Sequence, residues 1–272
     1  GRQNGLVCVA PVLRAVRRAD LPARRFREYV AKGAIRVQVE GEVVGQMNGL
    51  AVLGAGPLTY GFPARITATI GPGRSGLINI EREARLSGAI HTKGFYILGG
   101  LLRRLLSTDL PLAFDASVAF EQSYGGIDGD SASGAEICSL ISALTHVPIR
   151  QNLAMTGAVD QMGAVMAIGA VNEKIEGFFD VCRDAGLTGD QGVIIPTANA
   201  GDLMLREDVV EACRDGEFRV HAVDRVHDAL GLLTGMPAGD RVESGEYPEG
   251  TLLRLACDRA TEFWHASRDA DR

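Results

Sequence analysis

The change of hydrophobic period along this chain limits its architecture more than any other feature. From "AIRVQVEGEVVGQMNGLAVLG" to "RITATIGPGRSGLINIERE" apolar and polar residues alternate, β-branched residues recur and glycines mark turns. That period-2 stretch predicts two or three β-hairpins, with "GPGRSG" as one hairpin turn. Farther on, the period becomes helical. In "HTKGFYILGGLLRRLLS", Phe95, Leu98, Leu101, Leu102 and Leu105 share one side. "FDASVAFEQ" then alternates as a strand, and "SASGAEICSLISALTH" reads as a helix halted before Pro148. Two short strands follow around a Gln161–Gly163 turn, then a helix, "VNEKIEGFFDVCRDAG", closed by Gly186. "GVIIP" and "FRVHAV" are further strands, and "DLMLREDVVEACRDG" and "RVHDALGLLTG" further helices. Hairpins first and strand–helix alternation later define an α+β (mixed α/β) domain over about 34–236. A basic helical segment, 1–33, precedes it, and a polar linker with a last helix, 237–272, follows.

Composition removes several classes of function. A formal net charge of −6 argues against general nucleic-acid or anionic-membrane binding. The nine-residue run "GFYILGGLL" is too short to span a bilayer, and no secretory signal opens the chain. Five dispersed cysteines, an odd number with no C-x-x-C, read as free thiols in a reducing, cytoplasmic compartment. Gly1 is not a natural start, so the sequence reads as a fragment or processed form. The sequence has no H-E-x-x-H and no histidines at metal-ligand spacing. It also lacks a G-x-x-x-x-G-K-[ST] loop, so no metal and no nucleotide cofactor is expected on this chain.

The loop "GGIDGDSASGAE", Gly125 to Glu136, has two readings. As structure, Asp130 or Ser131 caps the next helix, and Ser133 with Glu136 forms an S-x-x-E capping box. As chemistry, a serine at a helix start has free amides and the positive dipole end near its Oγ, where an oxyanion would develop. The loop does not match the G-x-S-x-G elbow, because Ser133 stands where the second glycine belongs.

A nucleophilic serine needs a base. In "AIGAVNEKIEGFFDVC", Val171, Ile175, Phe178 and Cys182 form an apolar stripe with Lys174 on its border. Lys174 is either a snorkelling lysine at a core edge or a general base. The second role needs its pKa brought from about 10.4 to roughly 7–8. Partial burial and the first turn of a helix both act in that direction. Thr156 in "AMTG" is either an ordinary strand threonine or a hydroxyl that aims the amine.

Taken together, "DGDSAS", Lys174 in "AIGAVNEKIEG" forty-three residues after Ser131, and "LAMTG" between them resemble the proteolytic domain of the Lon protease family. The "DGDSAS" form is similar to the B-type, archaeal-like branch and its bacterial relatives. The likeness covers about Val37 to Met236, including "VGQMNGLAVLG", "FEQSYGG" and "GVIIPTANAGDLMLREDVVEA". It implies a fold like domain 2 of ribosomal protein S5, and an endopeptidase with a Ser–Lys dyad. On that likeness Ser131 is the nucleophile and Lys174 the base, with Thr156, Asp128 and Asp130 supporting. Asp128 either orients Lys174 or shapes the loop. The family also implies hexameric rings, unfolded or extended polypeptide substrates, and an AAA+ ATPase that uses ATP and Mg. The chain has no Walker motif, so the ATPase either lies upstream, with 1–33 as the end of its lid, or was never present.

Two rivals remain at this level. "GDS" with "DRVH" imitates an esterase triad of Ser131, His227 and Asp224, although "RVHDALGLL" reads better as a helix. The other is a ring-forming scaffold without activity. His91 and Lys93 read as cap and solvent groups, and Trp264 as an interface or tail anchor.

Overall fold

The structure, a computed structural model, describes residues 21–55, 58–106 and 110–269. Most of the 1–33 segment, Cys8 included, lies outside the described residues; its remainder holds α1 (Leu21–Ala31). β1 (Glu42–Val43) leads into the long hairpin of β2 (Gln46–Ala55) and β3 (Leu58–Pro72), paired antiparallel from Gln46–Thr67 to Ala55–Leu58. β4 (Gly76–Asn79), the short α2 (Ile80–Glu83), α3 (Ala89–Leu105) and β5 (Phe114–Phe120) follow.

This is one hairpin, where two or three were expected. β4 does not fold back on β3 but lies parallel to β5, which separates the two. "GPGRSG" is therefore a crossover turn.

The second half comprises α4 (Ser133–Thr145), β6 (Ile149–Arg150), β7 (Leu153–Met155), β8 (Ala158–Val159), β9 (Val165–Met166) and α5 (Val171–Ala185). It continues with β10 (Gly192–Pro196), a 3-10 turn (Thr197–Asp202), α6 (Glu207–Arg214), β11 (Arg219–Val223), α7 (Val226–Thr234) and α8 (Leu252–Asp269). The helix expected from Asp202 is thus shorter, beginning at Glu207.

A seven-stranded mixed sheet runs β11-β10-β7-β2-β3-β5-β4 and carries helices on both faces. Side chains alternate across it: Met155 and Ile194 enter one core, while Ala154, Val193 and Ile195 enter the other. The first core holds α3, α4, α7 and α8, the second α1, α5 and α6. Every residue of α4 is buried, its polar row of Ser133, Glu136, Ser139, Ser142 and Thr145 included. α8 joins the same core through Leu252, Leu253, Ala256 and Ala260. No helix among the described residues is long and apolar enough to cross a membrane.

Candidate active site

The two cores meet their shared sheet at the carboxyl end of β7, where three side chains converge. Ser131 arrives from one face, in the turn ahead of α4. Lys174 arrives from the other, in the first turn of α5. Thr156 stands between them, one residue past β7. Lys174 Nζ is 2.8 Å from Ser131 Oγ and 3.2 Å from Thr156 Oγ1. Thr156 Oγ1 in turn donates to the Ser131 carbonyl at 3.2 Å, and the Gly157 amide donates to that same carbonyl at 2.7 Å. The serine backbone is thereby pinned to the strand end.

Lys174 is only 3% exposed. Burial lowers its pKa from the ordinary lysine value to about 8, while the Asp130 carboxylate pulls in the opposite direction. Close backbone packing sets its position. A Cβ on Gly61 of β3 would overlap the Glu173 carbonyl and stand 2.7 Å from Lys174 Cα, and one on Gly177 would overlap the Gly61 carbonyl. Helix and strand therefore touch main chain to main chain, and only glycines fit. Ala170, just before α5, is held at φ 56°, a left-handed conformation unusual for alanine.

Asp128 does not orient Lys174. Its Oδ1 accepts the amides of Gly129 (2.9 Å), Ile90 (3.1 Å) and His91 (3.2 Å), so it caps α3, whose own N-cap, Gly88, has no side chain to do so. The amides of Gly129, His91 and Ile90 hold its carboxyl below the usual range. Asp130 is the acidic group whose charge reaches Lys174.

The expected caps of α4 are also corrected. Its N-cap is Ala132, with no side-chain hydrogen bond, and Ser133 Oγ accepts the Val159 amide at 2.9 Å. Glu136 is turned inward, 1% exposed, so there is no capping box. The esterase-type triad is not assembled: His227 lines a separate cavity with Arg103, Met162 and Asp240, and its buried Nδ1 has no hydrogen-bond partner among the described residues.

Two features escaped sequence reasoning. His91 is buried, not a solvent group; its spacing to Phe95, Leu98 and Leu102 placed it on the apolar face of α3. The Gly61–Gly177 contact left no local signal, because it joins a strand and a helix far apart in sequence.

A serine and a buried lysine thus meet at one strand end of a mixed sheet covered on both faces. Residues 121–234 match the Lon protease (S16) C-terminal proteolytic domain. It is 46% identical over 216 residues to the "Putative Lon protease homolog" of Escherichia coli (strain K12), covering 79% of this chain and 37% of that protein. The protein of the same description in Haemophilus influenzae is 43% identical over 246 residues (86% and 41%). The "Archaeal Lon protease" of Thermococcus kodakarensis is 31% identical over 243 residues (81% and 36%). The chain thus spans about two-fifths of the length of these relatives.

Proposed function

We propose that this domain is a serine endopeptidase in which Ser131 is the nucleophile and Lys174 the general base. The observation that carries this reading is the 2.8 Å approach of the amine of Lys174, a residue only 3% exposed, to the serine hydroxyl. A pKa of about 8 leaves about one lysine in ten neutral at pH 7. In that form Nζ donates to Thr156 Oγ1 and its lone pair accepts the Ser131 proton as Oγ attacks a peptide carbonyl. Amides of the turn at Ser131, ahead of α4, receive the oxyanion, since those of Ser133, Gly134 and Glu136 already donate to backbone carbonyls. The ammonium, favoured by Asp130, then protonates the leaving amine. Water, deprotonated by the regenerated base, hydrolyses the acyl-enzyme.

The descriptions of these relatives as Lon proteases support a proteolytic role for the whole protein. We assign unfolded or extended polypeptides as substrates, a homo-hexameric ring, and an upstream AAA+ module that would hold ATP and Mg. Peptide cleavage by the wild type, Ser131→Ala, Lys174→Ala and His227→Ala tests the site. The first two substitutions should abolish turnover and the third should leave it intact. Cleavage that survives Lys174→Ala but not His227→Ala would favour the esterase-type triad instead.

A further inference from the structure

Beneath the serine turn lies a buried polar cluster that the mechanism above leaves unused. His91 and Glu136 are each 1% exposed, and Asn79 and Glu81 are nearly as buried. Asn79 Nδ2 stands 3.3 Å from His91 Nε2, and Glu136 Oε1 is 3.8 Å from the same nitrogen, beyond hydrogen-bond range. Glu136 Oε2 has no hydrogen-bond partner among the described residues. Glu81 is occupied elsewhere, its Oε1 accepting the Phe120 amide at 2.9 Å. Polar groups in such a place are costly unless they fix something.

The groups they fix are those flanking Ser131. The His91 main-chain N–H donates to Asp128 Oδ1, and the Gly129 backbone beside the ring favours its charged form against the effect of burial. With Nε2 facing Asn79, the ring proton belongs on Nδ1. Phe120, at the end of β5, meets the ring edge-on at 5.5 Å and fixes its plane. One residue thus holds Asp128 and is beside Gly129, two consecutive positions of the loop just upstream of the nucleophile.

We propose that His91 is a positioning residue, which with Asp128 clamps the loop that presents Ser131 to Lys174. Burial keeps the imidazole below its ordinary pKa and raises Glu136 to about 8, with Glu81 adding to that rise. His91 and Glu136 therefore do not form an ion pair at neutral pH, and the imidazole acts by hydrogen bonding.

The inference rests on the peptidase reading for its effect on turnover, but not for its effect on the loop. The test compares wild type, His91→Leu, His91→Gln and His91→Asn by steady-state peptide cleavage and residue-resolved hydrogen exchange. His91→Leu should lower kcat about tenfold or more with KM little changed, and speed exchange at the Gly129 and Ser133 amides while α8 stays protected. His91→Gln, which keeps a donor and an acceptor, should recover most of both. Should His91→Leu not fold, His91→Asn, whose shorter side chain cannot span the same distance, decides through the same two amides. Unchanged loop exchange in the folded variants, or equal losses in His91→Leu and His91→Gln, would overturn the clamp. If the wild type cleaves no peptide, the peptidase reading falls alone, because the exchange measurement still decides the positioning role.

Discussion

At the scale of single residues, Lys174 bears two opposing demands. Its folded pKa, about 8, is below the ordinary lysine value, so the folded state disfavours the ammonium. That cost is complete below pH 8 and is relieved as pH rises from there towards the unfolded value. Lys174→Met should accordingly abolish cleavage and stabilise the fold at pH 7, by roughly 3 kcal/mol at most from the size of the shift. Calorimetry beside an activity assay checks both halves, and an unchanged or lower melting temperature would count against the buried amine. Asp130 gives a second lever. It favours the ammonium, so Asp130→Asn should lower the lysine pKa further and move the alkaline rise of kcat to lower pH. A pH–rate profile reads the sign directly.

Among the elements, the position of α5 matters most. Gly61 and Gly177 let it approach β3 closely enough for Lys174 to reach across the strand end. Gly177→Ala should push the helix outward, cost about 1–3 kcal/mol by overpacking and lower kcat strongly. Denaturant melts with kinetics on the folded variant check this; wild-type activity would mean the contact does not set Lys174's reach. Much at this scale was legible in the sequence. The apolar stripe of α3, the Gly186 stop of α5 and the buried "GVIIP" strand follow from local periodicity and turn chemistry. The β4 pairing did not, because alternation identifies a strand but not its neighbour. The caps of α4 differ for a related reason: Ser133 and Glu136 have capping chemistry, but the Val159 amide claims the serine hydroxyl and Glu136 is turned into the core.

The whole molecule is a sheet between two cores, and the site exists only where the two join. α4 and α5 lie on opposite faces, so neither Ser131 nor Lys174 has meaning without the strand end between them. The motif spacing made the pair legible, whereas the crossing of the sheet was not, since no sequence pattern reports which face a helix covers. The last helix belongs to this unit. Leu252, Leu253, Ala256 and Ala260 pack in the core that holds α4. Truncation after Gly250 should expose that helix and yield unfolded or aggregated protein, judged by circular dichroism and sedimentation; a soluble, cooperative fold would show α8 to be dispensable.

The central claim is that a neutral Lys174 activates Ser131. It is tested most directly by following covalent labelling with a fluorophosphonate across pH, with the modified residue located by mass spectrometry. A single adduct on Ser131 is expected, at a rate that rises through about pH 8 and collapses in Lys174→Ala. An adduct elsewhere, or a Ser131 rate indifferent to loss of the lysine, would contradict it.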